Sequence, residues 1–236
     1  MVLEAGSDNN AVSDAKGPEV KLFINDTSFM NGGTTHQNPV LIARLFDENG
    51  INTSGVSIGH EMTATMDNDV AHPEILNDFY EGTLNDFQRG TINFPYYNLA
   101  LGNHTITVKV WDIYNNSGSA RIDFIVIDKN ELKIDKLMCY PNPFYPDRGN
   151  TIFSFEHNKA GEALDVSIDI YTTLGEKIMN LHVPQSNGST RFDELQWNGQ
   201  NEFGGALASG TYIFRATVKD KDGNTALKSS RLVIVR

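Results

Sequence analysis

The chain has 236 residues, 39% hydrophobic and 21% charged, with a formal net charge of −11. That length fits one large or two ordinary domains, and the composition is polar without being that of a disordered chain. The acidic balance argues against binding a nucleic-acid backbone, which needs Lys and Arg opposite phosphates; it favours solubility and names no partner.

Residues 1–17 are polar, with Gly6, Ser7, Asn9 and Asn10, and lack the apolar core of a signal peptide. They read as a flexible lead-in, which implies a fragment of something longer. Val20, Leu22 and Ile24 then alternate with Lys21, Phe23 and Asn25, a strand period. Val40 to Phe46 and Glu61 to Met66 are the next strands, separated by the turn Asp47-Glu48-Asn49-Gly50 and a loop kept irregular by Gly55 and Gly59. Leu76 to Tyr80 is a short hydrophobic patch. Thr91 to Phe94 is a strand stopped by Pro95. Thr105 to Trp111 carries Ile106, Val108 and Val110 on one face, and the turn Asn115-Asn116-Ser117-Gly118 returns the chain into Ala120 to Ile127.

The second half repeats the theme. Strands are predicted at 151–156, 166–171, 177–183, 194–197, 212–218 and 226–235, with turns at Leu174-Gly175-Glu176 and Asp222-Gly223. No 18-residue apolar run is present, so no transmembrane segment is expected. The expected fold class is all-β: two antiparallel Ig-like β-sandwich domains in tandem, at 18–129 and 136–236, with a linker at 130–135. Pro141 and Pro143 each fix φ and lack an N–H, and each pushes the preceding residue to an extended conformation. Tyr140 to Phe144 therefore reads as a stiff, extended entry into the second domain.

Candidate chemistry is sparse. Cys139 is the single cysteine, which excludes an internal disulfide and a cysteine-rich metal site. Paired with His157 it would be a nucleophile, but its place beside Pro141 reads as a buried or incidental thiol. His60 and His104 lie beside turns, and no zinc-ligand spacing occurs. Asp47, Glu48 and Asn49 with Asp112, and the loop Asp67-Asn68-Asp69, offer oxygen ligands that would suit calcium. The same residues serve equally as capped turns, since Asp and Asn bond their own backbone, and this is the reading preferred. Trp111 faces away from Ile106, Val108 and Val110, either exposed for contact or packed under a loop. No catalytic, cofactor or metal residue is assigned.

A family pattern runs through the second half. It consists of Pro141-Asn142-Pro143-Phe144, then Val166 to Lys177 with Gly175, then Trp197-Asn198-Gly199, Gly210-Thr211-Tyr212, and Lys228 to Arg236. In this order the segments resemble the C-terminal sorting domains of the Bacteroidota type IX secretion system, and also the Ig-like domain of flagellar hook-capping proteins. The family-motif residues are Pro141, Asn142, Pro143, Gly175, Trp197, Gly210, Tyr212 and Arg236. In the first half Leu45 to Gly55, Ile58 to His60, Leu76 to Tyr80, Gly102 to Thr105 and Val110 to Ser117 resemble the segment before that domain in the system's gingipain-like sortase family. In that family a cysteine endopeptidase removes cargo C-terminal domains and attaches the cargo to anionic lipopolysaccharide. Its catalytic Cys and His belong to an α/β domain that has no counterpart here.

The resemblance implies a non-catalytic C-terminal fragment at the cell surface, associated with the outer face of the outer membrane. Its implied partners are an outer-membrane β-barrel shuttle and attachment-complex proteins of type IX secretion, with no nucleic acid and no cofactor. The alternatives are the end of an ordinary type IX cargo protein or adhesin, or a hook-capping scaffold. Leu232 to Val235, apolar on both faces, reads as a central strand buried on both sides or against the other sheet, and also as one that presents a secretion signal.

Overall fold

The structure, a computed structural model, describes residues 14–54, 59–128, 130–187 and 189–236. Most of the expected lead-in, and the loop positions Gly55 and Ile58, lie outside the described residues.

The chain is all-β. Its first half holds β1 (Glu19–Ile24), β2 (Thr34–Thr35), β3 (Val40–Phe46), β4 (Thr63–Met66), β5 (Glu74–Ile75), β6 (Tyr80–Thr83), β7 (Asp86–Pro95), β8 (Gly102–Trp111) and β9 (Ser117–Val126). Its second half holds β10 (Ile134–Tyr140), β11 (Thr151–His157), β12 (Ala163–Tyr171), β13 (Lys177–Asn187), β14 (Arg191–Trp197), β15 (Gly210–Lys219) and β16 (Thr225–Ile234). The only helical turn among the described residues is a 3-10 turn at Asn77–Phe79, inside the predicted hydrophobic patch. By compactness the chain falls into two units. One takes the chain through Leu22, Ala43–Ile92 and Ile106–Arg121; the other takes Phe23–Ile42, Asn93–Thr105 and Ile122–Arg236.

The first-half sheets run β1-β3-β7-β6 and β2-β9-β8-β4-β5. Their strands form where apolar residues alternate. Ile106, Val108 and Val110 are fully buried in β8, as are Leu41 and Ala43 in β3. Gly118 is required at its position, because a Cβ there would fall 1.8 Å from the Pro18 carbonyl oxygen. The sequence missed the β6–β7 hairpin, whose turn is Leu84-Asn85 with Asn85 at φ 60°. It also missed β2, which runs parallel to β9 for two residues.

The second half is a sandwich of a three-stranded sheet, β10-β11-β14, and a four-stranded sheet, β13-β12-β15-β16. The inner faces interdigitate. Phe153 of β11 meets Phe214 of β15 with ring centroids 4.9 Å apart, and Phe155 stacks on Phe192 of β14 at 4.8 Å. Val166, Ile168 and Ile170 of β12 complete the layer. Burying each such side chain is worth about 1.5–3 kcal/mol. Leu132 and Ile134 already belong to this core. Asn158 secures that approach: its side chain accepts the Lys133 amide and donates to the Glu131 carbonyl.

Two expectations are corrected here. β16 is an edge strand, not a central one; Leu232 and Ile234 point into the core while its free edge receives the chain near Phe144. Nor is Tyr140 to Phe144 an extended entry. β10 runs on to Tyr140, the Tyr140–Pro141 and Asn142–Pro143 bonds are both cis, and the chain bends there.

His157, at the end of β11, is 3% exposed, and its amide donates to the Thr190 carbonyl. Burial pushes its imidazole down to about 4, against the opposing effects of the Asp26 charge and the Ser189 backbone. The folded protein thus holds a neutral ring where the unfolded chain has an ordinary one near 6.5. Between those values the unfolded chain binds a proton that the folded chain does not, so stability falls as pH drops through that window and levels off below it. The difference amounts to about 3 kcal/mol. Denaturant unfolding should show this loss between pH 7 and pH 4, with the His157 ring remaining neutral at pH 5 by NMR. A His157 that titrates near 6.5 in the folded protein would contradict it.

Candidate functional site

The eight motif residues gather at one end of the second sandwich. Strand register places them there. β12 ends at Tyr171 opposite Ile213, β13 begins at Lys177, β15 begins at Gly210 opposite Ile234, and β11 begins at Thr151 opposite Trp197. Gly175, at φ 90°, makes the β12–β13 turn at this end.

The opening motif is tied to the chain's last residues. The Asn142 side chain donates to the Arg231 carbonyl and accepts the Val233 amide, each at 3.0 Å. The Phe144 amide donates to the Val233 carbonyl at 2.8 Å, and the Val235 amide donates to the Phe144 carbonyl at 2.9 Å. Phe144 thereby forms a parallel bridge with Ile234, and its fully buried ring lies 6.0 Å from that of Trp197. The Pro141 carbonyl accepts the Thr151 hydroxyl. Pro143 lines a shallow groove with Pro141, Tyr145 and Arg148.

The remaining motif residues fix loops. Trp197 Nε1 donates to the Gln200 carbonyl, and the Tyr212 hydroxyl donates to the Ala208 carbonyl. Gly199 lies so close that a Cβ would come 2.9 Å from Pro146 and 3.1 Å from Phe144. Arg236 donates from Nε to the Leu207 carbonyl at 2.6 Å, and its amide donates to Ser209. Leu174 and Phe203, almost fully exposed, stand on two loops at this end; the second loop is held to β13 by the Glu202 amide on the Ile178 carbonyl. The described residues at this end contain no nucleophile–base pair.

Cys139 confirms that last point. It is buried in β10 opposite Phe153, and burial pushes its thiol up to about 11. His157 pairs with Ile134, four residues further along β11 than Phe153, or about 13 Å of strand. The two cannot act as a dyad.

A second cluster lies in the first unit. Carboxylate oxygens of Asp14, Asp47 and Asp112 all lie within 4.8 Å of one another. Asp47 accepts the amides of Asn49 and Gly50, while Asp112 accepts those of Tyr114 and Asn116 and the Asn116 side-chain amide. Both are turn anchors, as preferred from the sequence. Asp14 joins them by accepting the Asn49 side-chain amide, a role the sequence could not signal because it depends on a neighbour 35 residues away. The oxygens would suit calcium, but three carboxylates supply only part of the six to eight oxygens it takes. Burial raises the Asp47 carboxyl above the ordinary aspartate value; the Asn49 and Gly50 amides oppose this, and the Asp112 and Asp14 charges add to it.

The other candidates resolve into structural contacts. Asp67 and Asn68 adopt positive φ, and Asp69 caps the Ala71 amide and pairs with His72. Glu48 lends only its carbonyl, to Gln88. His104 donates to the Ala100 carbonyl and stacks on Phe124. Trp111 is packed: His60 meets it edge-on at 4.4 Å, and the Lys109 ammonium lies 4.2 Å from its ring centroid.

No protein-family model matches the chain, and no curated protein matches it in sequence. Among solved structures it is similar to the dimeric latent PorU of Porphyromonas gingivalis, with 28% identity over 98% of this chain and 21% of that one, at a TM-score of 0.49. It is also similar to a tetra-tandem repeat in the extending region of a large adhesion protein, with 13% identity over 92% and 50% of the two chains, at a TM-score of 0.35. A β-glucuronidase of Parabacteroides merdae gives 10% identity over 89% and 29%, at a TM-score of 0.33. The chain thus spans about a fifth of the PorU structure. No helix among the described residues is long and apolar enough to cross a membrane.

Replacing Asp112 by Asn removes one of the charges that raise the Asp47 carboxyl. Asp47 should then titrate at lower pH in side-chain carboxyl NMR than it does in the unchanged chain. An unchanged or higher value would show that the two carboxylates do not interact.

Proposed function

We propose that this chain is the non-catalytic C-terminal part of a type IX secretion sortase of the PorU kind. It serves to target that enzyme to the outer cell surface and to dock it on the secretion and attachment complex. In this reading the parent cleaves the C-terminal domains of cargo proteins and joins the cargo to anionic lipopolysaccharide, using a peptidase domain elsewhere in the protein. The fragment needs no cofactor for its part. Its partners are the outer-membrane β-barrel shuttle and the attachment-complex proteins.

The observation that supports this most is the gathering of the family motif at one end. Residues scattered from Pro141 to Arg236 assemble into one surface, with Asn142 and Phe144 joined to the last residues of the chain. Several of them, Phe144, Trp197 and Tyr212, are buried, and the Trp197 and Tyr212 side chains bond the carbonyls of Gln200 and Ala208 on either side of exposed Phe203. A recognition surface on rigid supports loses little entropy when it binds. The first-half sequence pattern favours the sortase family over an ordinary cargo protein or a hook-capping scaffold.

The test is direct binding. The purified chain, mixed with the detergent-solubilised barrel shuttle, should co-elute with it, and Leu174→Ser with Phe203→Ser should abolish this while leaving the melting temperature unchanged. An intact chain that fails to bind any barrel or attachment component would contradict docking.

A further inference from the structure

The end of the second sandwich away from the motif carries a separate arrangement. β11 leaves its sheet there at His157, and β14 enters at Arg191. The chain from Asn25 to Asn38, between β1 and β3, belongs to the same compact unit and is tied to this end. The Asp26 carboxylate accepts the Thr190 amide at 2.6 Å and the Thr190 hydroxyl at 2.9 Å. Ser28 joins the knot: its hydroxyl bonds Asp26 and stands 2.9 Å from the Ser189 hydroxyl and 2.8 Å from that of Thr190. The buried His157 ring lies next to it. The Thr190 carbonyl accepts the His157 amide, and the Ser189 backbone bonds the ring.

Two histidines here share one feature. His157 Nδ1 accepts the Lys159 amide at 3.3 Å, and His36 Nδ1, on the same segment as Asp26, accepts the Asn38 amide at 3.1 Å. A ring nitrogen that accepts an amide cannot also hold a proton, because that proton would meet the amide hydrogen. The closed arrangement thus keeps both rings neutral, and burial acts in the same direction. Among the surrounding charges, Asp26 opposes this at His157; at His36 Glu162 opposes it and Lys159 adds to it. Neighbouring charges are engaged with one another: Lys133 with Asp135, Lys136 with Glu156, Lys159 with Asp220, Lys221 with Glu162 and Arg191 with Asp193.

We infer that residues 25–38, together with Ser189 and Thr190, form an acid-released clasp on this end of the sandwich. Opening frees both Nδ1 atoms from their amides and wets the rings, so the open form takes up protons that the closed form refuses. Mild acid therefore raises the open fraction while the core of the sandwich stays intact. The closed form, with its rings neutral, remains the majority at pH 5. The clasp lies at the opposite end of β11 from Thr151 and the motif residues, and acts independently of them.

Amide exchange on the full chain tests this, with rates corrected for intrinsic exchange and the Thr190 amide as reporter. Between pH 7.5 and pH 5 its protection should fall about tenfold or more. At pH 5 it should exchange at lower free energy than the Ile168 and Phe214 amides, and with little dependence on low urea, the mark of a local opening. The double variant His36→Gln, His157→Gln keeps acceptors for both amides but binds no proton, and should lose the pH dependence. Should that variant not fold, Asp26→Asn weakens the knot itself: Thr190 should lose protection already at pH 7.5 while Ile168 keeps it. A Thr190 amide that exchanges only with the core overturns the inference, as does protection that does not fall with pH. So does a folded double variant that keeps the pH dependence, or an Asp26→Asn chain in which Thr190 is as protected as before.

Discussion

The second sandwich depends on one closure: the parallel bridge between Phe144 and Ile234, braced by both ends of the Asn142 side chain. An edge strand presents unpaired backbone groups, and β16 would present them along its outer side. The bend at Pro141–Pro143 delivers Phe144 to that edge, where its amide and carbonyl pair with Val233 and Val235. The same step seats the Phe144 ring against Trp197 and so close to Gly199 that no side chain fits there. Without it the outer edge of the last strand would lose its pairing with the opening motif, and Trp197 would lose the Phe144 ring.

The first unit relies on a different device. Buried carboxylates there satisfy the amides of tight turns. Buried amides without partners cost free energy comparable to a lost hydrogen bond, so Asp47 and Asp112 are worth keeping despite their mutual repulsion. Burial above all, with that repulsion adding to it, raises the Asp47 carboxyl. Asp47 thereby closes the turn at 47–50 and Asp112 the β8–β9 turn.

Much of the fold was legible because strand burial is a period-two signal. Ile106, Val108 and Val110, or Val166, Ile168 and Ile170, announce their face without help from neighbours. The hairpin at Leu84-Asn85 was less legible, since Asp86, Gln88 and Gly90 break the apolar pattern of β7. The two-residue β2 exists only through its pairing with β9. The edge position of β16 was misread because Val233 and Val235 look like buried residues, whereas they meet the Phe144 backbone at the sheet's margin. Of the candidate site, the motif residues could be found as a pattern, and the turn roles of Asp47 and Asp112 followed from residue chemistry. The convergence of the motif residues could not, because it depends on contacts such as those of Asn142 with the last strand, 89 and 91 residues away.

The closure can be measured directly by hydrogen exchange on the intact chain. If Phe144 and the terminal strand form one structural unit, the amides of Phe144, Val233 and Val235 exchange only with the opening of the core, as slowly as those of Ile168 and Phe214. Asn142→Ala should then speed Val233 most. Terminal amides that exchange as fast as an exposed loop in the intact protein would mean that the last strand is not held by the opening motif, and the account of this end of the molecule would be wrong.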